Sequence, residues 1–255
     1  MNKKSITAQL YTIRDFMKTP EDIEKSLKRV KEIGYDAVQV SKTGPIEPEK
    51  LKEIVDKLGL QICVTHTPYE RIKDETEAVI REHKLWNCQY VGLGSMPEKF
   101  RADKEGYRSF IKEISGPAKQ IADSGLQFVY HNHKFEFEKF DGITGMEILF
   151  NETDPKAFGF EIDTYWVQAG GANPVEWIKK VKGRMGVVHF KDMAIKSNEQ
   201  IFAEIGQGNL NWPEIIKACR EIGVKWYAVE QDKCLRDPFE SLEISFKYLQ
   251  KLAIG

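Results

Sequence analysis

One phrase recurs along the chain: an amphipathic helical stretch, a glycine, then a short apolar run. It reads RVKEIGYDAVQV, IVDKLGLQICVTH, QIADSGLQFVYHNH and ACREIGVKWYAVE. The glycines, Gly34, Gly59, Gly125 and Gly223, stand where a helix ends in a left-handed residue. The apolar runs are continuous rather than alternating, the pattern of parallel strands covered on both faces. Helices alternating with parallel strands leave two architectures, a closed barrel or a doubly wound open sheet.

The apolar runs predict eight strands: Ile6–Leu10, Ala37–Val40, Gln61–His66, Tyr90–Leu93, Gln127–His131, Gly159–Asp163, Gly186–Phe190 and Tyr227–Glu230. A helical pattern follows each. Eight such units in 255 residues have the size and count of a (β/α)8 barrel. The chain therefore reads as a single TIM-barrel domain spanning 1–255. The open-sheet alternative calls for a dinucleotide fingerprint after the first strand, and none stands there; Gly206-Gln207-Gly208 comes late and outside a strand-to-helix turn. Thr19-Pro20, Asn173-Pro174 and Asp237-Pro238 each set a capping side chain before a proline at the first helical position. Two places fit less well. The helical segment after Gly142, ITGMEILFNE, is short, and Ser115-Gly116-Pro117 is expected to interrupt or kink the helix before the fifth strand.

Composition narrows the class. The 38 basic and 39 acidic side chains give a net charge of -1, which excludes a strongly basic nucleic-acid binder. With 41% hydrophobic residues the chain is not an acidic disordered one. No apolar run approaches the ~18–20 residues that cross a bilayer, and the N-terminal MNKKSITAQLYTIRDF lacks the apolar core of a signal peptide. Cys63, Cys88, Cys219 and Cys234 lie far apart with no CxxC pair, as reduced thiols in a cytoplasmic protein do.

Barrel chemistry sits at the C-terminal ends of the strands. Here those ends are polar: VTHT carries His66, VYHNHKFEF carries His131, Asn132, His133 and Glu136, FGFEIDTYW carries Asp163, VVHFKD carries His189, Lys191 and Asp192, and YAVEQD carries Glu230. With a period of two, His131 shares a face with His133, His189 with Lys191, and Glu161 with Asp163. If the first polar residue of each end points inward, His131, Asp163, His189 and Glu230 converge from four consecutive strands. Two imidazoles and two carboxylates suit Mn2+, Co2+, Zn2+ or Fe2+ better than Ca2+, which prefers oxygen ligands throughout. Taken singly, each has a plainer use: a core histidine held by hydrogen bonds, Asp163 as a helix cap, Glu230 paired with an arginine, Lys191 as a solvated rim lysine. His83, in a helical stretch, is expected at the surface. Of the tryptophans, only Trp166 follows a strand end closely enough to line a pocket. The stretch IKKVKGR reads as a solvated helix end. A phosphate-binding helix N-terminus is a further expectation near Gly206–Asn209.

The order of these motifs (Gln9 in AQLYTIRD, His66 in VTHT, HNHxxEF, EIDTYW followed by AGGANP, HFKD, IGQGNLNW and VEQD) resembles the sugar phosphate isomerase/epimerase-like proteins of the xylose isomerase-type TIM-barrel superfamily. That superfamily includes inosose dehydratases, ketose 3-epimerases and the endonuclease IV group. The resemblance covers essentially the whole chain. It implies a divalent metal (Mn2+, Co2+, Zn2+ or Mg2+) held by a strand-five residue, an aspartate, a histidine and a glutamate. Asp163, His189 and Glu230 match the last three. At strand five the epimerases and endonucleases carry glutamate, and this chain offers His131, with His133 or Glu136 as alternatives.

The expected activity is that of a metal-dependent sugar isomerase or epimerase, removing a proton next to the carbonyl of a sugar, keto-sugar or cyclitol. Glu230, Glu136 or His133 is the expected base, and Lys191 or His66 the group that steadies the developing oxygen charge or protonates a leaving hydroxyl. Gln9, His66 and Trp166 are the expected substrate contacts. A lyase acting on a keto-sugar, keto-cyclitol or 3-keto glycoside is the alternative. An abasic-site endonuclease and a non-catalytic sugar-binding relic are the others. The expected partner is a small carbohydrate, with neither nucleic acid nor membrane, and a homo-oligomer is left open.

Overall fold

Short runs such as AVQV and WYAV are apolar on both faces, which suits a strand lying between a barrel interior and a jacket of helices. In the computed structural model, which describes residues 1–254, they form β1 (Ile6–Gln9), β2 (Ala37–Val40), β3 (Gln61–His66), β4 (Tyr90–Leu93), β5 (Gln127–His131), β6 (Phe158–Asp163), β7 (Val187–Phe190) and β8 (Trp226–Val229). All pair in parallel, each with its neighbour in the chain, and β8 closes on β1 through Thr7 opposite Ala228. The molecule is thus the single (β/α)8 barrel expected. Leu10 already belongs to a 3-10 turn, β6 begins at Phe158, and Glu230 stands one residue beyond β8.

The helix boundaries follow the capping residues. Thr19 accepts the Asp22 amide, Asn173 that of Val175, and Asp237 that of Phe239. Gly34 and Gly223 close their helices at φ of 118° and 82°, a region costly for other residues. The short segment after Gly142 is a helix, Gly145–Glu152, secured by a reciprocal cap between Thr144 and Glu147.

Two expectations are corrected. The helix Lys104–Asp123 runs without interruption through Pro117. Tyr107, Phe110 and Ile114 before the proline, and Ala118 and Ile121 after it, are all buried, so packing of both halves outweighs a penalty of about 3 kcal/mol. His83 is not at the surface but 1% exposed. It lies on the inward stripe with Thr76 and Val79, its Nε2 2.8 Å from the Thr65 hydroxyl and its Nδ1 2.7 Å from the Val79 carbonyl.

Inside the barrel, Ala37, Val64, Val129, Val187 and Ala228 form an apolar floor with Cys63 and Tyr90. Each of these five precedes by two a polar residue on the same strand face: Gln39, His66, His131, His189 and Glu230. The period that packs the floor therefore aims those polar side chains at the open end above it. Cys63, Cys88 and Cys219 are buried and Cys234 half-buried, all as free thiols. No helix among the described residues is long and apolar enough to cross a membrane.

Candidate metal centre

Four consecutive strands deliver His131, Asp163, His189 and Glu230 to one point. One ligand atom from each lies within 4.8 Å of all the others. His131 Nε2 is 3.1 Å from Asp163 Oδ2, and His189 Nδ1 is 3.1 Å from Glu230 Oε2. The far side of each ring faces a fixed oxygen. His131 Nδ1 lies 3.0 Å from the Gly94 carbonyl, and His189 Nε2 lies 2.7 Å from Gln39 Oε1. With the N–H kept on that far nitrogen, the near one is the nitrogen a metal would take. This is the arrangement a metal-binding histidine needs, and the donor set fits a divalent transition metal. Against burial, the Glu161, Asp163 and Glu230 carboxylates hold His189 well above the usual histidine range, so its Nδ1 would first give up a proton. Asp163 also serves as the cap expected of it singly: Oδ1 accepts the Trp166 amide at 2.9 Å while Oδ2 faces the cluster.

Lys191 is no rim residue. It is 1% exposed, and its Nζ lies 2.7 Å from Glu230, 3.1 Å from Asp163 and 3.1 Å from Asp232. Burial alone would lower its pKa, but these three carboxylates outweigh it and raise it above the ordinary lysine value. Burial would likewise raise the Asp163 and Glu230 carboxyls, yet Lys191 and the neighbouring imidazoles hold both well below the usual range. Asp232 bears the remainder: burial and the Glu230 charge push it up to about 6.

The other expected residues divide. Gln9 donates from Nε2 to Glu230 Oε1 at 3.2 Å, its Oε1 being held by the Tyr11 amide. His66 places Nε2 2.7 Å from Glu161 Oε2. His133 lies beside Trp166 with ring centroids 5.4 Å apart, and its Nδ1 is buried without a hydrogen-bond partner. All of His66, His131, His133, Trp166, Lys191 and Glu230 line one cavity of about 840 Å3. Glu136 is not brought to it. The carboxylate is fully buried behind the β5 loop, accepting the Tyr130 hydroxyl at 2.6 Å and the His133 amide at 2.8 Å. Burial pushes it up to about 7 against those hydrogen bonds.

The glycine-rich turn near Gly206–Asn209 is no phosphate site. The Asp192 carboxylate accepts the amides of Gly206, Gly208 and Leu210, together with the Trp212 indole N–H. The donors that would grip an anion are already satisfied by one from the chain itself. Sequence reasoning assigned no role to Glu161 and passed over Gln39. Glu161 is fully buried and joins His66, His189 and Gln39, whose Nε2 lies 3.1 Å from Oε1. Burial would raise its pKa, but the His189 and His66 rings reverse that and hold it low. The signal available was its period-two spacing from Asp163.

The sequence model of the family described as xylose isomerase-like TIM barrel matches residues 27–252. The chain belongs to this family. A sugar phosphate isomerase/epimerase of known structure from Parabacteroides distasonis is 26% identical, with a TM-score of 0.81 over 98% of this chain and 94% of that one. An inosose dehydratase from Clostridium botulinum is 23% identical over 90% of this chain and 89% of its own. At 13% identity, a probable 3-DHS dehydratase from Bacillus anthracis shares the fold, with a TM-score of 0.74 over 98% and 99% of the two chains. Relatives of this xylose isomerase-like barrel thus include both isomerase/epimerases and dehydratases.

Proposed function

We propose that this protein is a divalent-metal-dependent isomerase or epimerase of a sugar, keto-sugar or cyclitol, acting by proton removal next to a carbonyl. The observation that carries this is the meeting of His131, Asp163, His189 and Glu230 with the far nitrogen of each imidazole anchored. These four residues would hold the cation. When bound, it supplies Lewis acidity to the substrate carbonyl and the neighbouring hydroxyl.

The protein's own groups do the rest. Lys191 is a fixed charge rather than a proton donor, since three carboxylates hold its proton, and it steadies oxygen charge developing beside the cluster. Gln9 orients Glu230, and Trp166 and His133 wall the cavity where a sugar ring is to lie. Of the bases expected, Glu230 and His133 face the cavity and Glu136 does not.

One observation favours elimination as the second reading. Strand β5 presents His131 where a two-carboxylate proton exchange would need its second carboxylate. Loss of a β-hydroxyl or glycosidic oxygen asks less of that position. Incubation in D2O with ketoses, 3-keto sugars and inososes separates the two. Isomerisation or epimerisation places deuterium on the carbon next to the carbonyl in a product of unchanged composition. Elimination releases water or an alcohol. EDTA is expected to abolish either, and absence of turnover across the metal-supplemented panel would count against the enzyme reading.

A further inference from the structure

Glu161 is a fully buried carboxylate two residues before Asp163 on β6, and two imidazoles face it. His66 Nε2 lies 2.7 Å from its Oε2, and His189 Nε2 lies 3.3 Å from its Oε1. A carboxylate only accepts hydrogen bonds, so His66 Nε2, 2.7 Å from Oε2, carries its hydrogen, while the hydrogen-bond partner of His189 Nε2 is Gln39 Oε1 at 2.7 Å. The other nitrogen of His66 has a different outlook. Its Nδ1 stands 3.5 Å from both Gln9 Nε2 and the Ser41 hydroxyl, at the limit of hydrogen bonding. The Gln9 amide cannot turn over, because the Tyr11 amide holds its oxygen at 2.6 Å. It therefore offers a donor, and Nδ1 keeps its lone pair. A side chain at position 94 would cover that nitrogen: a Cβ there would lie 2.8 Å from it, and the residue is Gly94. Gly94, Ser41 and His66 all line the cavity.

We propose that His66 and Glu161 form a carboxylate–imidazole pair in which His66 is the acid–base group for the substrate and Glu161 its positioning residue. The proposal rests on the carbohydrate reading above, and changes which residue moves the proton. His66 Nδ1 takes the proton from the carbon next to the carbonyl. The C–H electron pair becomes the new C=C bond, and the carbonyl π pair moves onto oxygen. The resulting imidazolium sits against the Glu161 carboxylate. Return of the proton to the former carbonyl carbon, with the neighbouring hydroxyl proton passing to the oxyanion, completes isomerisation. In elimination the oxyanion pair re-forms the carbonyl, the C=C pair shifts to the β-carbon, the C–O bond breaks and the departing oxygen takes the proton. Either course restores the neutral ring. No oxidant or reductant enters.

The same atoms do not make a second metal site, although His66, Glu161 and His189 lie within 4.8 Å of one another. Gln39 Nε2 already donates to both Glu161 oxygens, at 3.1 and 3.3 Å. His189 Nε2 is taken by Gln39 Oε1 at 2.7 Å, and its Nδ1 faces Asp163 and Glu230. Glu161 thus anchors His66 directly and His189 through Gln39, whose amide bonds both.

The test uses the Mn2+-loaded protein. His66→Ala is expected to lower kcat about 10²- to 10⁴-fold with KM little changed, with bound Mn2+ unchanged and with part of the rate restored by added imidazole. Gly94→Ala, which keeps both side chains but sets a Cβ 2.8 Å from Nδ1 and so forces the ring to shift, is expected to lower kcat without rescue by imidazole. Retention of kcat within about tenfold in His66→Ala, or loss of Mn2+ together with turnover, overturns the pair. Nitrogen-15 spectra of labelled histidine, recorded with diamagnetic Mg2+ or Zn2+ in place of Mn2+, need no turnover at all. They are expected to show His66 protonated at Nε2 and bare at Nδ1, with that pattern changed by Glu161→Gln. A proton on Nδ1 instead overturns the pair. The expected spectrum in a protein that turns over no carbohydrate overturns only the carbohydrate reading.

Discussion

Lys191 Nζ lies 2.7 Å from Glu230 Oε2 in a site where the lysine is 1% exposed. The same ammonium reaches Asp163 at 3.1 Å, so a built-in cation and the expected metal share two carboxylates. Removing the lysine leaves three acids facing one another in a buried space. Lys191→Met is expected to cost about 3–5 kcal/mol of unfolding free energy in metal-free protein. Saturating Mn2+ should return more stability to the variant than to the wild type, because the metal then neutralises those acids alone. Denaturant titrations with and without Mn2+ measure both.

Asp192 fastens the loop after β7. Its carboxylate takes hydrogen bonds from the amides of Met193, Gly206, Gly208 and Leu210 and from the Trp212 indole. Asp192→Ala strands these donors, at a cost of about 3 kcal/mol or more. Calorimetry is expected to show in addition that inorganic phosphate does not stabilise the wild type through this turn.

Much of this was legible in the sequence for an identifiable reason. Continuous apolar runs mark strands buried on both faces, and the period of two carries their direction to the polar ends; hence the barrel and the convergence of His131, Asp163, His189 and Glu230. Glu161, seen on the Asp163 face but given no role, and Gln39 lie inside their strands, where a polar residue passes for an interruption of the core. The Asp192 latch joins residues 14 to 20 positions apart through a loop whose path no local pattern fixes. His83 was within reach: its spacing from Thr76 and Val79 places it on the buried stripe. Weighing the residue type above its position misplaced it.

That burial gives His83 a consequence at low pH. Desolvation lowers its pKa from 6.5 to about 4, so the folded protein holds the neutral ring. The unfolded chain takes up the proton first, and the stability present above pH 6.5 is lost as pH falls from there toward 4. The loss from this residue is about 3 kcal/mol. Comparing unfolding free energies of wild type and His83→Gln across that range isolates it, the variant having the flatter profile.

Glu136 acts in the opposite direction. Burial raises its carboxyl from 4.5 to about 7, so the unfolded chain ionises before the folded one. Stability present below pH 4.5 is lost as pH rises through about 7. Glu136→Gln keeps an acceptor for the His133 amide and removes the ionisation. Its stability should gain on the wild type between those limits, as read by thermal unfolding at each pH.

Anomalous diffraction from crystals grown with Mn2+ bears most directly on the whole account. One peak is expected between β5 and β8, within about 2.0–2.3 Å of His131 Nε2, Asp163 Oδ2, His189 Nδ1 and Glu230 Oε2, and absent in Asp163→Asn. A peak bound elsewhere, or crystals in saturating Mn2+ with none at these four residues, would contradict it.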